Sequence, residues 1–88
     1  MSVFIRAIQG KIFLVNHGKK ELSLCIEEVF SGEAKVKKID FSLDPNVRIV
    51  NIDNQPMRLV ALKEGQKVEV GYTRDKSKRT ALYIAALS

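Results

Sequence analysis

Reactive side chains and chain-bending residues are both scarce in this chain of 88 residues: it has one cysteine and one histidine, two prolines and five glycines. Cys25 has no second cysteine to join, so an intramolecular disulfide and a metal site built on several thiolates are both excluded. As a nucleophile it needs a neighbouring base or a lowered pKa, and its sequence neighbours supply neither. It reads as a passive thiol on the outer face of its strand, open to intermolecular oxidation. His17 lies between Asn16 and Gly18, where a solvated turn residue is the ordinary outcome and no orienting partner for a general base is present. Glu27 and Glu28 are adjacent, which in a strand sends them to opposite faces and not to a shared water. Asp40, Asp44 and Asp53 lack the spacing of a calcium loop, and the isolated glycines build no phosphate-cradling loop. The chain therefore reads as a non-enzyme with no catalytic residue, no cofactor and no metal ligand set.

Long apolar runs are also missing. No stretch approaches the roughly 20 residues that cross a bilayer, so no membrane insertion is expected. The start Met1-Ser2-Val3-Phe4-Ile5-Arg6-Ala7 has neither the charged segment nor the long apolar segment of a secretory signal. A cytoplasmic location follows, or an extracytoplasmic one if a signal segment has been removed.

What is present describes one domain over residues 1–88, with a single modest core. Fifteen Lys+Arg against ten Asp+Glu give a formal charge of +5. Such an excess favours anionic partners through long-range attraction, although Lys19-Lys20-Glu21 and Lys67-Val68-Glu69 partly cancel their own fields. Solubility is the plain reading of that charge, and nucleic acid the functional one.

The organising stretch is Leu62 to Tyr72. A polar turn closed by Gly65 leads into alternation of Val68, Val70 and Tyr72 with Lys67, Glu69 and Gly71, the pattern of a half-buried strand. Before it, Val3 to Val15 reads as one strand bent at Gly10, serving both sides of a closed sheet. Asn16-His17-Gly18-Lys19 is a turn, and it pairs Leu14 with Leu22 and Ile12 with Leu24. A second hairpin from Lys20 to Leu43 closes near Ser31-Gly32-Glu33. One register there opposes Ile26 to Ile39, Leu24 to Phe41, Leu22 to Leu43 and Ser23 to Ser42, with ion pairs Glu28–Lys37 and Glu27–Lys38. Asp44-Pro45-Asn46 is a turn into a fourth strand, Val47 to Ile52, and Asp53 to Pro56 is a loop. Residues 57–64 carry a helical turn too short to stand alone. Arg74 to Arg79 forms a charged hairpin tip, and Thr80 to Leu87 returns with Val70 near Ile84. About six short strands, one bent, with one helical turn predict an all-β fold, a small antiparallel barrel of the OB or SH3-like kind.

Several segments together carry a resemblance. They are Gly10-Lys11-Ile12, Asn16-His17-Gly18-Lys19, Phe41 through Ile49, Leu62 through Tyr72, and Ala81-Leu82-Tyr83-Ile84. Over nearly its whole length the chain resembles a bacterial family of small OB-like β-barrels of unknown function. The resemblance implies the barrel and supplies no catalytic residues; members of that family usually follow export signals or lipoprotein leaders.

Two functions fit such a domain. The first is a scaffold that docks a protein partner or a second copy of itself. The terminal strands are apolar on both faces, and Phe4, Ile8, Leu82, Tyr83, Ile84 and Leu87 are the candidate interface residues. The alternative is single-stranded nucleic-acid binding, which combines a basic groove with aromatic stacking. Its candidates are Lys11, Lys35, Lys37, Lys38, Arg74, Lys76, Lys78 and Arg79, with Phe13 as the aromatic expected to point outward. Phe4, Phe41 and Tyr72 are expected to point inward.

Overall fold

Residues whose apolar side chains recur at every second position pair into five strands: β1 (Arg6–Asn16), β2 (Glu21–Phe30), β3 (Glu33–Val50), β4 (Lys67–Asp75) and β5 (Lys78–Ala86). The structure, a computed structural model, describes residues 4–88, and of residues 28–30 the backbone. Neighbouring strands run in the order β1-β2-β3-β5-β4 and close into a barrel, the OB-like arrangement. All pairs are antiparallel except β3 with β5, which run parallel. Closure hides the sheet edges within the barrel.

The long β1 makes closure possible. Its first half pairs with β4 from Arg6↔Tyr72 to Lys11↔Lys67, and its second half with β2 from Lys11↔Cys25 to Asn16↔Glu21. At the changeover stands Gly10, where an added Cβ would lie 2.8 Å from the Cys25 carbonyl oxygen and 3.1 Å from Ile26 Cγ1. Glycine is needed there for close approach of two backbones. The turn before β4 ties back to the same region: the Gly65 N–H donates to the Ile12 carbonyl at 2.7 Å, and the Ile12 N–H donates to the Gln66 carbonyl at 2.9 Å. Gly65 has φ +84°, so its lack of a side chain is used.

Inside, Leu22, Leu24, Val68, Val70 and Ile84 are wholly buried, and Phe41 meets Tyr72 edge to face with ring centroids 5.1 Å apart. Each such aliphatic side chain contributes about 1.5–3 kcal/mol by leaving water. A 3-10 turn at Leu59–Ala61 precedes buried Leu62, and Met57, Leu59 and Leu62 pack on the core cluster. The short helical turn expected within 57–64 is thus present.

Four expectations change. The barrel has five strands and not six, because β3 runs unbroken through Asp44-Pro45-Asn46. The Asp44 carboxylate still accepts the Asn46 N–H at 2.8 Å, so the local turn chemistry is real. It produces an irregularity between Leu43 and Arg48 rather than a chain reversal. The second hairpin is slipped by two residues: Leu22 opposes Phe41, Leu24 opposes Ile39 and Ser23 opposes Asp40. Ser31 (φ +51°) and Gly32 (φ +81°) form a two-residue turn that pairs Phe30 with Glu33 and sets this register. A slip of two keeps the alternation of faces, and the register opposes Glu28 to Lys35 and Glu27 to Val36 where Lys37 and Lys38 were expected. In the first hairpin Ile12 does oppose Leu24, whereas Leu22 faces Val15, not Leu14. Lastly, Phe4 is 76% exposed and not inward; Val3 lies outside the described residues.

Gly71 lies under the ring of Tyr83, and a Cβ added there would come within 1.7 Å of Tyr83 Cε2. Gly71→Ala should therefore displace the ring and lower stability in urea by about 1–3 kcal/mol, the cost of overpacking a filled site. A loss below about 0.5 kcal/mol would show that the ring has room to move.

Candidate functional site

β1 carries an extra residue between Ile12, which faces Leu24, and Leu14, which faces Ser23. This bulge leaves Phe13 unpaired and turns both Phe13 and Leu14 outward, 49% and 45% exposed, while Ile12 stays inside at 2%. Re-aiming side chains is what bulges do. The Lys38 ammonium sits 5.1 Å from the centroid of the Phe13 ring, a cation–π distance.

Around this ring the strands align a basic row. Lys67 on β4 opposes Lys11 on β1, Lys11 opposes Cys25 on β2, and Cys25 opposes Lys38 on β3. Directly opposed residues share a sheet face, so the three lysines line one outer surface with the half-buried thiol between them. Like charges facing each other across strands repel, and Lys11 with Lys67 has that arrangement. Beside the row, where β1 and β2 part, is a groove of about 450 Å³ bordered by Gln9, Lys11, Cys25, Glu27, Val36 and Lys67.

Asp40 is the acidic neighbour. Its carboxylate accepts the Ser23 hydroxyl at 2.5 Å and lies 4.0 Å from the Lys38 ammonium, an exposed pair worth little in water. A second groove of about 320 Å³ separates the β2–β3 face from the β4–β5 tip. Lys78 and Arg79 line one wall, Glu21, Asp40 and Ser42 the other. At the tip Lys76 has φ +56°, and its carbonyl accepts the Arg74 Nε–H at 3.0 Å, which folds that guanidinium onto the loop. In the β1–β2 turn, Asn16 Oδ1 accepts the Lys19 N–H at 3.0 Å and braces the loop that carries Lys19 and Lys20.

The basic candidates thus fall into three groups. Lys11, Phe13 and Lys38 come together on the outer face of β1–β3. Arg74, Lys76, Lys78 and Arg79 gather at the β4–β5 tip beside it. Lys35 and Lys37 stand apart on the projecting end of the β2–β3 hairpin, both exposed. Lys67 was missed by sequence reasoning. Its signal was its place next to the organising alternation, but the partner strand was unknown.

Among the apolar candidates, Ile84 is wholly buried in the core and does not reach the surface. Ile8 is half-buried against the core cluster, Leu82 and Tyr83 are half-buried, and Phe4 and Leu87 are exposed at 76% and 38%. Tyr83 donates its hydroxyl proton to Glu69 at 3.1 Å, and Gln9 donates to the other oxygen of that carboxylate at 3.4 Å. Burial, then the hydrogen bond to Glu69 and that group's negative charge, raise the Tyr83 hydroxyl above its ordinary pKa of 10.0.

His17 is exposed in the β1–β2 turn, and Met57 lies in the segment after β3. With Cys25 on β2, these soft donors sit on separate elements, and among the described residues no three His, Cys, Asp or Glu side chains gather as a metal site. No helix among the described residues is long and apolar enough to cross a membrane.

The fold and this face define a five-stranded OB-like barrel with a basic outer surface. Two solved structures are similar to it over nearly the whole chain. One is CusF with Ag(I), at a TM-score of 0.68 and 11% identity, covering 94% of this chain and 97% of that one. The other is a tryptophan-to-alanine variant of CusF from Escherichia coli with Cu(II), at a TM-score of 0.68 and 12% identity, covering 96% and 92%. At that identity the likeness is one of fold. No known family model matches the chain. No curated protein matches it either.

Folded Tyr83 holds its proton more tightly than the unfolded chain does, so its contribution to stability is complete below pH ~10 and is lost as pH rises through the folded value. Replacing Tyr83 with Phe should flatten the fall in stability that sets in above about pH 10. Identical pH profiles for the two proteins would show that folding does not hold the proton on Tyr83.

Proposed function

We propose that this protein is a non-enzymatic binding module that takes single-stranded nucleic acid on the outer face of β1–β3. The observation that carries the reading is the β1 bulge, which sets Phe13 on the surface beside the row Lys67, Lys11 and Lys38. A stacked base needs an exposed ring, and its phosphates need nearby ammonium groups. The Lys11–Lys67 repulsion would be relieved by an anionic backbone. Barrels of this kind bind oligonucleotides on the face of their second and third strands, between the first and last hairpin loops. Here the first hairpin loop carries Lys19 and Lys20, and the last hairpin brings Arg74, Lys76, Lys78 and Arg79.

Docking of a protein partner, or homo-oligomer formation, is a second reading. It now rests on Phe4 and Ile5, 76% and 61% exposed, since Ile84 belongs to the core and Ile8 packs against it. A monomeric mass in gel filtration would sink its self-association form. Silver or copper, named with the CusF structures, gains no support as a ligand here, since among the described residues no three His, Cys, Asp or Glu side chains gather.

Fluorescence titration with labelled oligo-dT and oligo-U at two salt concentrations tests the main reading. Affinity should fall as salt rises, and Phe13→Ala should lower it by about tenfold or more, as expected for loss of one stacked base. Replacing Arg74, Lys76, Lys78 and Arg79 together with glutamate should weaken binding and reduce the salt slope. Absence of binding even at low salt would overturn the reading.

A further inference from the structure

The β2–β3 hairpin reaches beyond the barrel. β1 accompanies β2 no further than Cys25, and β5 joins β3 only from Ser42. Residues 33–41 of β3 therefore have β2 on one edge and, among the described residues, no strand on the other.

The direction of the backbone groups on that edge follows from the turn. A two-residue loop makes Phe30 and Glu33 a hydrogen-bonded pair, so odd-numbered residues of β3 address β2. Leu43 agrees, its N–H donating to the Lys20 carbonyl at 2.9 Å. The even-numbered residues Ala34, Val36, Lys38 and Asp40 then send their N–H and C=O groups outward. The result is an unpaired half-ladder, a template for one more strand.

Its charge selects the partner. Ala34 through Lys38 are all exposed, and between Glu33 and Asp40 the only charged residues are Lys35, Lys37 and Lys38. Lys78 and Arg79 stand where β5 begins, at the end of the same edge. Pairing this edge with itself in a second copy would set lysine against lysine, which is unfavourable. A strand carrying carboxylates would meet lysines on both faces. Nucleic acid has no peptide groups to continue the ladder. We propose that the open edge of β3 from Ala34 to Asp40 binds an extended acidic peptide segment by strand addition. In that mode main-chain hydrogen bonds supply affinity and side-chain charge supplies specificity.

The probe is a fluorescein-labelled peptide of alternating glutamate and valine, titrated against the whole protein, with a lysine–valine peptide as control. Saturable binding of the acidic peptide alone is expected, together with slowed exchange of the Ala34, Val36 and Lys38 amides. Val36→Pro removes one outward N–H without touching the β2 ladder, a placement that edge strands tolerate. It should weaken the peptide at least tenfold. Reversing Lys35 and Lys37 to glutamate should do the same to the peptide and keeps a backbone that can still pair. Failure of the acidic peptide to bind, or equal binding of the lysine peptide, would overturn the proposal. So would a concentration-dependent dimer abolished by Val36→Pro, which would give the edge to a second copy.

Discussion

The barrel depends on one strand being shared by two neighbours. β1 belongs to β4 in its first half and to β2 in its second, and the exchange occurs at Gly10, against the Cys25 carbonyl. A side chain there would force the backbones apart, and the ring of strands would open. The Gly65 turn, bonded to Ile12 through both of that residue's main-chain groups, holds the exchange point in place. The same splaying of β1 from β2 creates the outer groove beside Lys11, Cys25 and Lys67. Closure and surface chemistry therefore have one origin.

Much of this was legible from alternation alone. Val68, Val70 and Tyr72 read as inward and are buried, and the strand that carries them pairs Val70 with Ile84 as expected. The second hairpin was read on the correct faces but two residues out of register. Reasoning from side-chain pairs favoured Glu–Lys contacts worth tenths of a kcal/mol, whereas the positive φ values at Ser31 and Gly32 decide where the chain reverses. Asp44-Pro45-Asn46 was read correctly as local chemistry and wrongly as a strand end. Pairing of β3 with β5 on both sides of it carries the strand through.

The site was less legible, for a physical reason. Ile12-Phe13-Leu14-Val15 is apolar throughout, so it has no phase, and the bulge that puts Phe13 and Leu14 on the same side leaves no mark in the sequence. Simple alternation predicted an outward Phe13, and the outcome is right although Leu14 accompanies it. Lys67, Lys11 and Lys38 are far apart in the chain and meet only because three different strand pairs align them. The two-sided apolar terminal strand was visible, but not that barrel closure buries Ile84 completely while Tyr83 covers Gly71.

The central claim is that the bulged face of β1–β3 is where the ligand sits. Its most direct test is amide chemical-shift mapping of the isotope-labelled protein during titration with a short oligo-dT. The largest perturbations should fall on Lys11, Phe13, Leu14, Cys25 and Lys38, with smaller ones at Lys78 and Arg79. Perturbations confined to Phe4, Ile5 and Leu87, or spread evenly over every lysine, would contradict it.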